Sequence, residues 1–177
     1  MRDKWDLTKV SCLIAEDNPH MRSILRSVLA GFGIRSAYEA SDGAEALEMV
    51  VDRKPDIVLC DWVMSPFGGN EFLRILRADR DLVVSTTPVL IVTAHAKRAT
   101  ILEGIEIGIH GFVAKPIAPA ILYRHIGEIL ERQEMHGRSK GLLGPGHQQP
   151  LRKLNVTDIS STAASEPSAD QAGLALL

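Results

Sequence analysis

Five short apolar runs alternate along this chain with stretches whose apolar residues recur three and four positions apart. The runs are Val10–Ala15, Ile34–Tyr38, Ile57–Cys60, Val89–Val92 and Gly111–Ala114. Short, nearly continuous apolar runs mark strands buried on both faces, whereas an amphipathic helix buries a single stripe. Parallel strands need a crossover, usually a helix, and right-handed crossovers leave few topologies. The expected fold class is therefore α/β: a doubly wound five-stranded parallel sheet of flavodoxin-like order 2-1-3-4-5, (βα)5. In that order a ligand crevice opens between the first and third strands, at their carboxyl ends.

The helical stretches carry their own punctuation. Asn18-Pro19 reads as a cap followed by a first-turn proline, and Met21, Ile24, Leu25, Val28 and Leu29 form the inward stripe up to Gly31 and Gly33. Ser41 or Asp42 caps a second helix with Ala44, Leu47, Met49, Val50 and Val51 on or near its inner side, ended by Pro55. A Gly- and Pro-rich loop, Trp62 to Gly69, leads into a third helix, Glu71–Ala78, with Phe72, Leu73, Ile75 and Leu76 expected inside. Asp79–Thr87 reads as a polar connection. The fourth predicted helix, roughly Lys97–Gly104, has a poor stripe (Ala99, Ile101, Leu102, with Ile105 beyond) and is expected to be the least firmly held. A last helix runs from Pro119 to about Met135. The second strand carries Arg35 and Ser36, which places it at an edge of the sheet.

Composition bounds the function. The chain has 177 residues, 45% of them hydrophobic, enough for one domain with a core. No run is apolar over the ~18 residues that suggest a membrane span, and the charged start Met1-Arg2-Asp3-Lys4-Trp5-Asp6 does not suit a secretory signal. A net charge of −2 points neither to nucleic acid nor to a strongly acidic tail. Cys12 and Cys60 both lie within strand patterns, so buried free thiols in a reducing cytoplasm are expected. After Met135 large apolar residues thin out among Gly, Pro, Ser, Thr and Ala. The expected organisation is an N-terminal extension over 1–8, a folded domain over 9–135 and a disordered tail over 136–177, with no fused output domain.

Polar groups cluster where the runs end. Glu16 and Asp17 come after the first run, Asp61 after the third, Thr93 after the fourth and Lys115 after the fifth. A carboxylate can attack a phosphoryl group to give an aspartyl phosphate, and that transfer needs charge neutralised around the transferring oxygens. Three close carboxylates repel one another, and a hard cation such as Mg²⁺ relieves that while bridging phosphate oxygens. Lys115 supplies a point charge and Thr93 a hydroxyl donor. These residues predict a Mg²⁺ site that accepts a phosphoryl group on Asp61.

With Glu16-Asp17, Asp61, Met64, Gly69, Thr93-Ala94, Phe112 and Lys115-Pro116 in this order, the chain resembles the receiver domain of two-component response regulators over roughly residues 9–133. The resemblance implies Asp61 as phosphoacceptor, with Thr93 and Lys115 assisting. It implies Glu16, Asp17, Asp61 and the backbone carbonyl of Val63 as metal ligands, and Thr93 with Phe112 as a switch pair. It also makes the Lys115-Pro116 bond a candidate for cis geometry, and suggests that Val63 and His95 influence the lifetime of the phosphorylated state. Two departures are present: Ser65 intervenes between Met64 and Pro66, and Phe112 stands where tyrosine is frequent. The expected protein is a stand-alone cytoplasmic receiver, no enzyme beyond its own phosphorylation and dephosphorylation. A histidine kinase or histidine phosphotransfer protein would supply its phosphoryl group. Its output would go to a downstream protein or a second copy, without direct DNA or membrane binding. A phosphate sink without output and a non-phosphorylated interaction module are the alternatives.

Overall fold

The five runs form one parallel sheet in the order β2-β1-β3-β4-β5. The structure is a computed structural model and describes residues 5–135. Its strands are β1 (Ser11–Ala15), β2 (Ser36–Ala40), β3 (Ile57–Cys60), β4 (Val89–Thr93) and β5 (Gly111–Ala114). Its helices are α1 (Pro19–Gly31), α2 (Gly43–Arg53), α3 (Gly69–Ala78), α4 (Leu82–Ser85), α5 (Arg98–Ile107) and α6 (Pro119–Met135). The tail 136–177, expected to be disordered, lies outside the described residues. No helix among the described residues is long and apolar enough to cross a membrane.

Strand alternation divides the core in two. Leu13, Ala15, Val58, Cys60, Val89 and Ile91 face α2 and α3 in one cluster, which also holds Trp62, Met64 and Ile109. Cys12, Ile14, Ile57, Leu59, Leu90 and Val92 face the other way, toward Leu25 and Leu29 of α1 and Leu122, Ile126 and Ile129 of α6. Burial on both faces is why these strands read as continuous apolar runs. Both cysteines are free and buried, and burial pushes both thiols up, which leaves them inert.

Helix starts obey the expected chemistry. The Asn18 side chain accepts from the backbone N–H of His20 and Met21, and Asp42, not Ser41, caps α2 by accepting from Ala44 and Glu45. Three expectations shift. The second strand starts at Ser36, because Ile34 N still donates to Leu29 O (3.0 Å) across the turn at Gly33 (φ 89°). Ile34 is nevertheless buried. The polar connection Asp79–Thr87 contains the single turn α4, capped by Asp81 through Val83 N at 2.8 Å. Ile24, Ala44, Val51 and Ile75 face solvent instead of the core, since each lies past the edge of a stripe set by Leu25 and Leu29, by Ala46 and Val50, or by Phe72, Leu73 and Leu76.

The chain before β1 is tied to the body. The Trp5 ring lies 5.6 Å from that of Tyr123, Tyr123 Oη donates to Trp5 O at 2.9 Å, and Leu7 is buried. Gly127 leaves room for the indole, since a Cβ there would come within 2.2 Å of it. Trp5→Ala is expected to lower stability by roughly 2 kcal/mol, less than a fully buried aromatic costs because the ring is only half-buried. Urea unfolding checks this, and an unchanged midpoint with an unchanged slope would show the contact to be passive.

Candidate functional site

The parallel ladder continues one residue past the strands and fixes the backbone of the residues at their carboxyl ends. Asp61 N donates to Ala15 O (2.9 Å), Glu16 N to Ala40 O (3.0 Å) and Lys115 N to Thr93 O (2.9 Å). Four candidate residues, Glu16, Asp61, Thr93 and Lys115, thus lie at one carboxyl edge of the sheet, two of them at the β1/β3 crevice where the strand order reverses.

Lys115 draws two of the acids together. Its ammonium donates to Glu16 Oε2 and to Asp61 Oδ2, each at 2.6 Å, while the three side chains are 12%, 3% and 10% exposed. Burial raises the Glu16 pKa above the ordinary glutamate value, against the hydrogen bond and charge of Lys115, and the Asp61 charge adds to the rise. Burial also works against the Lys115 ammonium, but hydrogen bonds to Asp61 and Glu16 outweigh it and its pKa is raised. Asp61 Oδ1 accepts from Val63 N at 3.2 Å. Asp17 is exposed, and its Oδ2 accepts from Ser65 N at 3.2 Å. Asp17 therefore sits at the mouth and Glu16 on the floor.

Thr93 is fully buried, and its hydroxyl accepts from His95 N at 3.2 Å. Phe112 is partly buried against the α2/α3 cluster. The side chains of Val63 and His95 are both exposed. Lys115-Pro116 is cis as expected, and Ser65-Pro66 is cis as well, in the loop after Asp61 where Ser65 intervenes between Met64 and Pro66. Gly69 is required by close approach: a Cβ there would lie 2.1 Å from Asp61 O.

A hard divalent cation suits the donors. Glu16, Asp17 and Asp61 offer carboxylate oxygens and Val63 a carbonyl, with no soft ligand among them. Among the described residues no three His, Cys, Asp or Glu side chains already converge on one point. The reason is local: Lys115 bridges Glu16 and Asp61, and Asp17 is turned to Ser65. The buried Glu16, with its raised pKa, is the group a cation would relieve most.

Arg22 gave no sequence signal, and Trp62, which its place beside Asp61 suggests as a cover for the site or a partner contact, is instead a core residue. Arg22 Nη1 donates to Glu16 O at 2.7 Å while its Nε pairs with Glu39 Oε2 at 3.0 Å, so α1 and β2 together hold the β1–α1 loop. Trp62 turns its ring inward and is 8% exposed. Neither an arginine on a helix nor a tryptophan in a loop announces its partner.

Comparison with known proteins bears on family and fold. A family model described as the response regulator receiver domain matches residues 12–127. Chemotaxis protein CheY-3 of Vibrio cholerae serotype O1 is 38% identical over 120 residues, covering 68% of this chain and 91% of that protein. The solved structure of Vibrio cholerae chemotaxis protein CheY4 aligns with a TM-score of 0.62 at 25% identity, over 68% of this chain and 98% of its own. The receiver domain of sensor histidine kinase PA1611 from Pseudomonas aeruginosa PAO1 has the same fold. Its TM-score is 0.63 at 24% identity, with 69% of this chain and 98% of that one covered, and a magnesium ion is coordinated in the active-site cleft of that protein.

Proposed function

This chain belongs to the response regulator receiver family of two-component signalling, and from that premise we propose that it accepts a phosphoryl group on Asp61 from a phosphohistidine. The observation that carries the reading is the pairing of Asp61 with Lys115 at 2.6 Å in a crevice shared with Glu16 and Asp17.

In the step itself, one carboxylate oxygen of Asp61 attacks phosphorus and the P–N bond of the donor breaks, its electron pair returning to the imidazole ring. Lys115 holds a positive charge beside the oxygens that carry the growing negative charge. Mg²⁺, held by Glu16, Asp17, Asp61 and the Val63 carbonyl, would neutralise phosphoryl oxygens in the same pocket. Hydrolysis of the acyl phosphate later regenerates the carboxylate. Such chemistry concerns the protein's own aspartate and makes it a switch, with no separate substrate turned over.

The donor is a histidine kinase or a histidine phosphotransfer protein in the cytoplasm. The output is a contact with another protein or a second copy. Thr93, drawn toward the phosphoryl group, would release space for Phe112 and bias the surface of α5, β5 and α6. Incubation with acetyl phosphate and Mg²⁺ is expected to add one phosphoryl group by intact mass, and chelating Mg²⁺ to prevent it. Equal labelling with and without the metal would contradict the metal role, and no labelling under either condition would contradict the acceptor role.

A further inference from the structure

Helix α5 rests on the residue next to the acceptor. Gly104 is the residue of α5 that is buried. A Cβ built on it would lie 3.4 Å from Cζ3 of the Trp62 indole and 3.0 Å from Cδ1 of Ile109. The glycine therefore lets the helix settle onto the ring. The Trp62 backbone is held in turn by Gly69 N donating to its carbonyl at 3.0 Å. Adjacent residues thus diverge: the Asp61 carboxylate enters the crevice, and the Trp62 indole enters the cluster beneath α5. Ile105 and Ile107 of α5 also pack against that cluster, and two polar links tie α5 and its cap to α3. Arg77 Nε donates to Gly108 O at 3.0 Å, and an exposed pair joins Arg74 to Glu103 at 3.0 Å. Neither begins at the acceptor loop.

We propose that Trp62 is a positioning residue that carries the state of Asp61 to α5 through its contact with Gly104, by a route separate from Thr93 and Phe112. The proposal rests on Asp61 being the phosphoacceptor. A phosphoryl group on Asp61 adds charge and bulk beside a backbone that also carries the indole. A small displacement there moves a rigid ring on which a sparsely anchored helix sits.

Hydrogen exchange of residues 98–107 in the whole chain, with and without beryllofluoride and Mg²⁺, tests it. In the wild type, this phosphoryl mimic is expected to change exchange across α5. Trp62→Ala is expected to speed basal exchange there by roughly tenfold and to remove the response, while β5 still responds through Phe112. Gly104→Ala keeps the indole but wedges a methyl group against it. It is expected to keep acetyl phosphate labelling and lose most of the α5 response, and it decides the matter if Trp62→Ala fails to fold. Full α5 responses in the folded variants would overturn the proposal while leaving the acceptor reading intact. A wild type that takes no label and shows no response would overturn both.

Discussion

Asp61→Asn is expected to reduce acetyl phosphate labelling at least about 100-fold, to background, with the fold intact. An amide oxygen is a poor nucleophile, and its attack leaves no stable acyl phosphate. The side chain keeps its size, and its carbonyl oxygen can still accept from Val63 N, as Oδ1 does at 3.2 Å. Neither remaining acid is suited to replace it. Glu16 is buried on the floor with Lys115 on its Oε2, and Asp17 turns outward to Ser65. Intact mass and far-ultraviolet circular dichroism together check this. Undiminished labelling of a folded Asp61→Asn protein would place the acceptor elsewhere.

Lys115→Met is expected to destabilise the protein by about 3 kcal/mol near neutral pH. Removing one partner of a buried pair leaves the others uncompensated, and Glu16 and Asp61 are 3% and 10% exposed at the side chain. The pH dependence has a definite sign. Glu16 has a folded pKa above its ordinary value because of burial, with Lys115 opposing the rise. Its contribution is therefore fully present below the unfolded value and is lost as pH rises through the folded value. Without Lys115 the folded value climbs further and the loss deepens. The gap between variant and wild type should thus be widest near pH 7 and shrink at about pH 4, where Glu16 takes up its proton. In the wild type, Lys115 has the complementary window: its raised pKa makes the pairing complete below the unfolded value and lost only as alkaline pH passes the folded one. Mg²⁺ should also narrow the gap by supplying the missing charge. Urea unfolding at both pH values, with and without Mg²⁺, measures this, and a gap independent of pH and metal would mean that Lys115 contributes only packing.

The sequence carried most of the fold because burial on both faces writes a strand as an unbroken apolar run. Asp61, Glu16 and Thr93 were legible for the same reason: each stands at or just past the end of such a run, so its place on the sheet edge came with the strand order. What was not legible depends on side-chain direction over long separations. No pattern along the chain shows that Lys115 bridges Glu16 and Asp61 and leaves Asp17 at the mouth, or that Arg22 holds the Glu16 carbonyl. Trp62 sits in a Gly- and Pro-rich loop, where periodicity says nothing, yet its ring is buried beneath α5. The weak stripe of α5 was visible, and its meaning became clear only with Gly104 against that ring. Helix α4 is a single turn, too short for its apolar residues to show a period. The second strand begins later than its apolar run because Ile34 is buried like a strand residue while its backbone still caps α1.

The proposed function rests on one particular carboxylate carrying the phosphoryl group. Borohydride reduces an acyl phosphate to an alcohol and so converts a phosphorylated aspartate to homoserine, which peptide mass spectrometry locates. After treatment with acetyl phosphate and Mg²⁺, homoserine is expected at Asp61 and at no other position. Homoserine at Asp17, the corresponding reduction product at Glu16, or unmodified peptides throughout would contradict that assignment.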